Sequence, residues 1–117
     1  MIQSILKYSL ITLIFLAACS PKKPTEKDAI VHVWGNGDKC KTTIDKAAMI
    51  SGVSKADWDV NSKLLTLRID TVQTSLDMVL NSVAKSGYDN EKFYADDYAY
   101  GALEPSCQYE RRPFESK

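Results

Sequence analysis

The chain has 117 residues, and its 15 basic and 15 acidic side chains give a formal net charge of zero at pH 7. A nucleic-acid-binding surface needs a clustered excess of Lys and Arg, and the sequence contains no such cluster. We therefore expect no nucleic-acid partner. The residues with the most distinctive side-chain chemistry in this chain are its three cysteines, Cys19, Cys40 and Cys107.

The first 18 residues have the composition of a secretory signal peptide. Lys7 is their only charge, and the apolar run 10–16 that follows it is shorter than the roughly 20 residues of a membrane-spanning helix. The ending Leu16-Ala17-Ala18-Cys19 resembles a bacterial lipobox, which implies cleavage before Cys19 and lipid attachment to it. We predict Cys19 as a lipidation site, with a lipid-anchored protein in the bacterial cell envelope that faces the periplasm. The alternative is an ordinary secretory signal with an incidental cysteine.

The rest of the chain is long enough for one small domain. Removal of residues 1–18 leaves 99 residues with 14 basic and 15 acidic side chains, a net charge of −1. Residues 19–28 comprise the predicted lipidated cysteine and a polar, proline-bearing segment that indicates a flexible tether. The remaining chain can bury one core but not two. We divide it into a domain over 29–95 and a C-terminal tail over 96–117.

Periodicity predicts the elements of the domain in chain order. The β-branched segment 29–34 indicates a first strand, and residues 40–51 carry one apolar helical stripe that Asp38 is placed to cap. Alternating patterns then predict strands over 53–60 and 65–69. Residues Thr74–Asp77 have the spacing of a capping box. The apolar residues behind them form the clearest amphipathic helix in the chain, which Gly87 should end: Leu76, Val79, Leu80, Val83 and Ala84.

A weaker, more polar segment over 88–95 indicates a last strand. The resulting order predicts an α+β fold, a ferredoxin-like βαββαβ sandwich with two helices on one face of an antiparallel sheet. In the tail, Asp96 and Asp97 are expected to cap a short helix.

The loop between the first strand and the first helix resembles the metal loop of heavy-metal-associated domains, a family of copper and mercury carriers. Cys40 with Ile44-Asp45 matches the second cysteine of that family's C-x-x-C loop, whereas the position of the first is Gly37. Three further segments resemble the family over residues 29–95: Gly52-Val53, Ile69-Asp70 and Gly87-Tyr88-Asp89. The tail with Ser106-Cys107 resembles a lipoprotein branch of the family, in which both the loop and the tail often carry cysteine pairs. This chain has one cysteine of each pair.

The resemblance implies binding or trafficking of a soft metal ion such as Cu(I), with affinity weakened by the missing loop cysteine. Thiolates select such ions, so Cys40 and Cys107 are the candidate metal ligands. Three interpretations stay open: the two cysteines share a metal, they form a disulfide in an oxidising compartment, or they are unrelated. With a disulfide, the chain would be a degenerate interaction module without metal. A metal-transporting ATPase or an efflux component is the protein partner that the resemblance implies.

Other chemistry-bearing residues are expected to be structural. His32 is the single histidine and lies on a strand, so packing is favoured over metal ligation, and Trp34 and Trp58 are expected in the core. Tyr98 and Tyr100 are alternative candidates for a binding rim. The sequence has no recognisable set of nucleophile and base, and we expect no enzymatic activity.

Overall fold

A three-stranded antiparallel sheet forms one layer of the protein. The computed structural model describes residues 23–114, so the signal peptide, Cys19 and residues 20–22 of the tether lie outside the described residues. The strands are β1 (Glu26–His32), β2 (Val53–Trp58) and β3 (Leu64–Asp70), in the spatial order β1-β3-β2. The first strand begins three residues earlier than predicted. The central strand β3 buries Leu65, Leu67 and Ile69, as its alternating sequence predicts.

Two helices cover one face of this sheet, α1 (Gly37–Ala48) and α2 (Leu76–Lys85). The stripe Val79, Leu80, Val83 and Ala84 of α2 is buried, which confirms the amphipathic pattern. The helix is capped by Ser75, whose side chain accepts a hydrogen bond from the Met78 amide, one residue later than the predicted capping box begins. Gly87 follows the helix with φ +106°, and this left-handed conformation ends it as expected.

The start of α1 differs from the prediction. Its N-cap residue is Asn36 in an extended conformation, and the helix begins at Gly37, so Asp38 lies in the first turn and is not the cap. The reason is the backbone of Gly37, whose φ of +72° lets the chain turn earlier than a residue with a side chain would. The Asp38 carboxylate still lies near the positive end of the helix dipole.

The α+β, ferredoxin-like arrangement is confirmed, but the fourth strand is reduced to one bridge between Val33 and Asn90. The cause is the buried side chain of Asn90. Its Nδ2 donates to the Leu80 carbonyl at 2.9 Å, and its Oδ1 accepts from the amides of Lys92 and Phe93 at 3.1 and 3.0 Å. These bonds bend the chain away from β1 immediately after the bridge.

The tail continues from this bend as a short helix α3 (Asp97–Gly101) and one 3-10 turn, Pro105–Cys107, which we call the tail turn. The Asp96 carboxylate accepts from the Ala99 amide at 2.7 Å, which confirms it as the cap of α3. The tail turn packs on α1. Within residues 23–114 the helices are too short or too polar to cross a membrane.

Candidate metal site

The loop before α1 is held against the core by Trp58. The Trp58 indole N–H donates to the Val33 carbonyl at 2.9 Å, and its backbone N–H donates to Asp45 Oδ1 at 2.7 Å. A Cβ on Gly35 would come within 3.1 Å of the Trp58 ring and 3.0 Å of Ile44 Cδ1. Gly35 therefore lets the loop lie directly on the tryptophan, which fixes where α1 begins.

Cys40 lies on the inner face of α1, one turn into the helix. Its side chain is fully buried, together with Ile44 and Ala48 on the same stripe. The Sγ atom is 3.5 Å from Asn36 Oδ1 and 3.7 Å from the backbone carbonyl of Cys107, so both are positioned to accept from the thiol. The thiol of Cys40 is therefore directed into the protein and toward the tail.

Cys107 is held in place by buried polar contacts that follow it in the chain. The Tyr109 hydroxyl donates to the Gly87 carbonyl at 2.8 Å and accepts from the Asp89 amide at 2.7 Å. The fully buried carboxylate of Asp89 accepts from Arg111 Nε and Nη2 at 3.0 and 2.7 Å. The contacts connect the tail to the end of the domain, 20 or more residues away in sequence.

The structure brings the two predicted metal ligands together, although they are 67 residues apart in sequence. Cys107 is 4% exposed and lies beside Cys40. Burial raises the pKa of the Cys107 thiol to about 11, and the adjacent Cys40 side chain acts in the same direction. Two thiolates at this buried place would be unfavourable, and a bound cation would offset part of their negative charge.

Tyr88 completes the surroundings of the two thiols. Its ring is fully buried, and among the described residues its hydroxyl has no hydrogen-bond partner. Burial raises the pKa of Tyr88 above its ordinary value, with the neighbouring Cys40 acting in the same direction. The Gly87-Tyr88-Asp89 motif singles out this residue in the sequence, but no sequence pattern indicates that its hydroxyl lies beside the two cysteines.

An open cleft of about 380 Å³ connects this place to solvent. It lies between α1 and the tail, and its walls are formed by Lys39, Thr42, Thr43, Tyr88, Leu103, Glu104 and Cys107. Lys39 forms an ion pair with Glu104 at 3.4 Å, which joins the two sides. Lys41 instead pairs with Asp45 and Asp57 at 2.9 and 2.6 Å. Both lysine charges are thus neutralised by carboxylates of the protein itself.

The other candidate residues lie elsewhere. His32 stacks on Trp34 with ring centroids 3.7 Å apart and lines a different cleft, so it is not near the thiols, and burial lowers its pKa. Trp58 is in the core, whereas Trp34 is only half-buried. Tyr98 is almost fully exposed on α3. Its neighbour Tyr100 is half-buried, and its hydroxyl donates to the Tyr109 carbonyl at 2.6 Å, which makes it part of the tail's packing.

The donor set restricts which ions the site suits. Residues 23–114 contain no group of three or more His, Cys, Asp or Glu side chains that could hold a metal. Zinc requires three or four protein ligands, and calcium and magnesium require several oxygens. Two buried sulfurs beside a phenol fit an ion that accepts two soft ligands. The number and type of donors therefore suit a soft ion such as Cu(I) better than a hard ion.

Solved structures of metal carriers share the arrangement of strands and helices. The CopZ metallochaperone is similar over 55% of this chain and 98% of its own, with 23% identity and a TM-score of 0.53. Oxidised MerP from Ralstonia metallidurans CH34 is similar over 56% of this chain and 94% of its own, with 25% identity and a TM-score of 0.53.

The chain has the heavy-metal-associated fold. Almost the whole of each of those two structures is matched by little more than half of this chain. The heavy-metal-associated fold is thus extended here by segments additional to it. No protein-family model and no curated protein matches the chain.

Proposed function

We propose that the protein binds one soft metal ion, with Cu(I) as the best candidate, between the sulfur atoms of Cys40 and Cys107. The observation that supports this most strongly is the burial of both thiols side by side at the end of a cleft. The loop position that would carry a second cysteine is Gly37. Cys107 of the tail therefore supplies the second sulfur ligand in place of a second loop cysteine.

The chemistry of the pair suits a carrier better than a catalyst. Metal binding displaces the thiol protons, and Cu(I) compensates one of the two thiolate charges, which leaves a net charge of −1. A nucleophilic cysteine would need a base beside it, whereas His32 lines a different cleft from Cys107. We therefore propose a non-enzymatic carrier of a soft metal, which a metal-transporting ATPase or efflux component would load or unload.

A Cu(I) titration of the reduced protein against a competing chelator tests this function. We expect binding of about one Cu(I), and we expect Cys40→Ser to abolish it because a hydroxyl is a poor ligand for a soft ion. Ser51→Ala, an exposed position after the end of the same helix that does not line the cleft, is the control and should bind like the parent. A Cys40→Ser variant that binds as the parent does would contradict the assignment.

Restoration of the loop cysteine is a second test of the same function. At Gly37 a Cβ would have no neighbour within 4 Å, but the φ of +72° disfavours any side chain. We expect Gly37→Cys to lose roughly 1–2 kcal/mol of stability and to tighten Cu(I) binding by more than tenfold. A folded variant without any gain would argue against a metal loop at this place.

The same contact also favours a second candidate, an interaction module in which Cys40 and Cys107 form a disulfide. Closing a loop of this length would stabilise the domain by roughly 4 kcal/mol in the chain-entropy model. A count of free thiols without reductant separates the candidates. Two free thiols in the protein as isolated support the metal carrier, and none supports the disulfide.

We further propose that Cys19 carries lipid and anchors the protein to a membrane of the bacterial cell envelope, facing the periplasm. The support is the sequence Leu16-Ala17-Ala18-Cys19 and the polar tether behind it. More than one acyl chain on a single residue gives stable anchoring. Detergent partitioning and the mass of the mature N-terminus test this proposal.

A further inference from the structure

The two thiols of the proposed site have unequal access to solvent. Cys107 forms part of the cleft wall, whereas Cys40 is fully buried beneath the tail turn. An ion or an acceptor ligand that enters the cleft meets Cys107 before it meets Cys40. The heavy-metal-associated fold ordinarily places both ligands on one loop, so this order of access is a consequence of the tail.

The contacts made by the residues that follow the tail turn in sequence are stronger than those made by the residues that precede it. After the turn, Tyr109 and Arg111 form the buried hydrogen bonds to Gly87 and Asp89. Before it, Glu104 is linked to α1 by the ion pair with Lys39, whose side chains are 71% and 70% exposed. The polar contact of the turn itself with α1 is the 3.7 Å approach of the Cys40 thiol, a weak donor, to the Cys107 carbonyl. An exposed ion pair is a weak link that water and salt readily break.

Building on the proposed two-thiol site, we propose that Cys107 is the ligand through which the cargo ion enters and leaves, and that the Lys39–Glu104 ion pair acts as a latch. When the latch opens, the tail turn moves away from α1 with Cys107, while Tyr109 and Arg111 keep the rest of the tail in place. Cys40 is the ligand that holds the ion until transfer is complete.

The exchange involves ligand substitution without a change of oxidation state. A donor atom of the acceptor, a thiolate or a chelator nitrogen, forms a bond to Cu(I), and the bond to Cys107 Sγ breaks. The Cys107 thiolate then takes a proton from water. A second donor of the acceptor displaces Cys40 Sγ in the same way, and Cu(I) leaves through the cleft.

The rate of Cu(I) transfer from the loaded protein to a bidentate chelator such as bathocuproine disulfonate tests the latch. We expect Glu104→Gln and Lys39→Gln each to transfer Cu(I) about two- to fivefold faster, because an exposed ion pair contributes little more than this. Added salt should accelerate transfer from the parent and have less effect on the variants. Asp77→Asn, which removes an ion pair with Lys92 elsewhere on the surface, is the control and should match the parent.

The outcomes separate the latch from the proposed function. Parent-like transfer rates in both latch variants, with one Cu(I) still bound, would overturn the latch alone. A parent that binds no Cu(I) with its thiols reduced would overturn both.

The order of access has its own measurement, brief alkylation of the metal-free, reduced protein with N-ethylmaleimide followed by peptide mass analysis. We expect Cys107 to be modified before Cys40 and Glu104→Gln to accelerate that modification. Modification of Cys40 first would overturn the proposed route.

Discussion

Arg111→Met tests whether the buried ion pair with Asp89 holds the tail, and with it Cys107, against the domain. Asp89 is fully buried, and its carboxylate accepts from two nitrogens of Arg111 and from the amides of Ala95 and Arg112 at 2.8 and 3.1 Å. Methionine keeps much of the side-chain length but donates no hydrogen bond. The variant leaves the charge of Asp89 buried with only the two amides as donors.

The expected cost follows from burial. Removing one partner of a buried ion pair costs about 3–5 kcal/mol. Because the Arg111 side chain is 25% exposed, water can partly replace it, and we expect about 2–4 kcal/mol in the free energy of unfolding. Urea unfolding followed by tryptophan fluorescence measures this loss. Arg68→Met breaks a solvent-exposed pair with Asp28 and is the matched control, with a much smaller expected loss.

The pH dependence of this loss gives an independent check. Burial alone would raise the pKa of Asp89, but Arg111 and the two amides outweigh it and hold the pKa below its ordinary value. A carboxyl with a lowered pKa stabilises the folded state above its unfolded pKa of about 4, and this contribution is lost as the pH falls through the folded pKa. The difference between parent and variant should therefore be largest near pH 7 and shrink below about pH 4. A loss of stability no larger than that of Arg68→Met, without such pH dependence, would refute the claim that this buried ion pair holds the tail against the domain.

Further predictions concern the core, the tail, the metal and the anchor. Leu80→Ala should cost about 2–5 kcal/mol in urea unfolding, whereas a loss under about 0.5 kcal/mol would place Leu80 at the surface. Tyr109→Phe leaves the buried Gly87 carbonyl and Asp89 amide without their hydroxyl partner and should cost about 1–3 kcal/mol; no loss would mean that water reaches them. Burial raises the pKa of Cys107 to about 11, so its thiol is protonated near neutral pH and must release a proton when Cu(I) binds. The apparent Cu(I) affinity should therefore rise about tenfold per pH unit for each thiol proton released. A flat profile in competition titrations from pH 6 to 8 would exclude a buried thiol as ligand. Cys19→Ala should leave the chain uncleaved or release it as a soluble form, and unchanged partitioning and mass would exclude lipidation.

Local periodicity was sufficient to predict the elements that bury one continuous apolar face. Strand β3 alternates over Leu64–Asp70, and α2 repeats its apolar residues at helical spacing, so each element has one apolar face to bury in the core. The fourth strand was predicted from a weaker, more polar segment, and within residues 23–114 it is reduced to one bridge. Its loss depends on the side chain of Asn90, which finds partners on α2 and in its own turn, and no pattern in the sequence reveals such partners.

Of the candidate metal site, only the identity of the two cysteine ligands could be predicted from the sequence. The resemblance to the metal loop singled out Cys40, and the tail resemblance singled out Cys107, but the sequence left open whether the two meet. They meet because Asp89, which closes the domain, is buried and paired with Arg111 of the tail. A contact between residues 22 positions apart depends on tertiary packing, which neither propensity nor spacing describes. The same is true of the Tyr88 hydroxyl, which lies beside the thiols and has no hydrogen-bond partner within residues 23–114.

The most direct test of the account is a competitive Cu(I) titration of the reduced protein beside its Cys107→Ser variant. Cys107 lies outside the loop in which heavy-metal-associated domains carry their cysteine pair, so it contributes to binding only if the tail completes the site. We expect one Cu(I) per parent chain and an affinity at least tenfold weaker in the variant, with its fold retained. Equal affinities would show that the tail supplies no ligand, and the absence of Cu(I) binding by the reduced parent would contradict the metal site altogether.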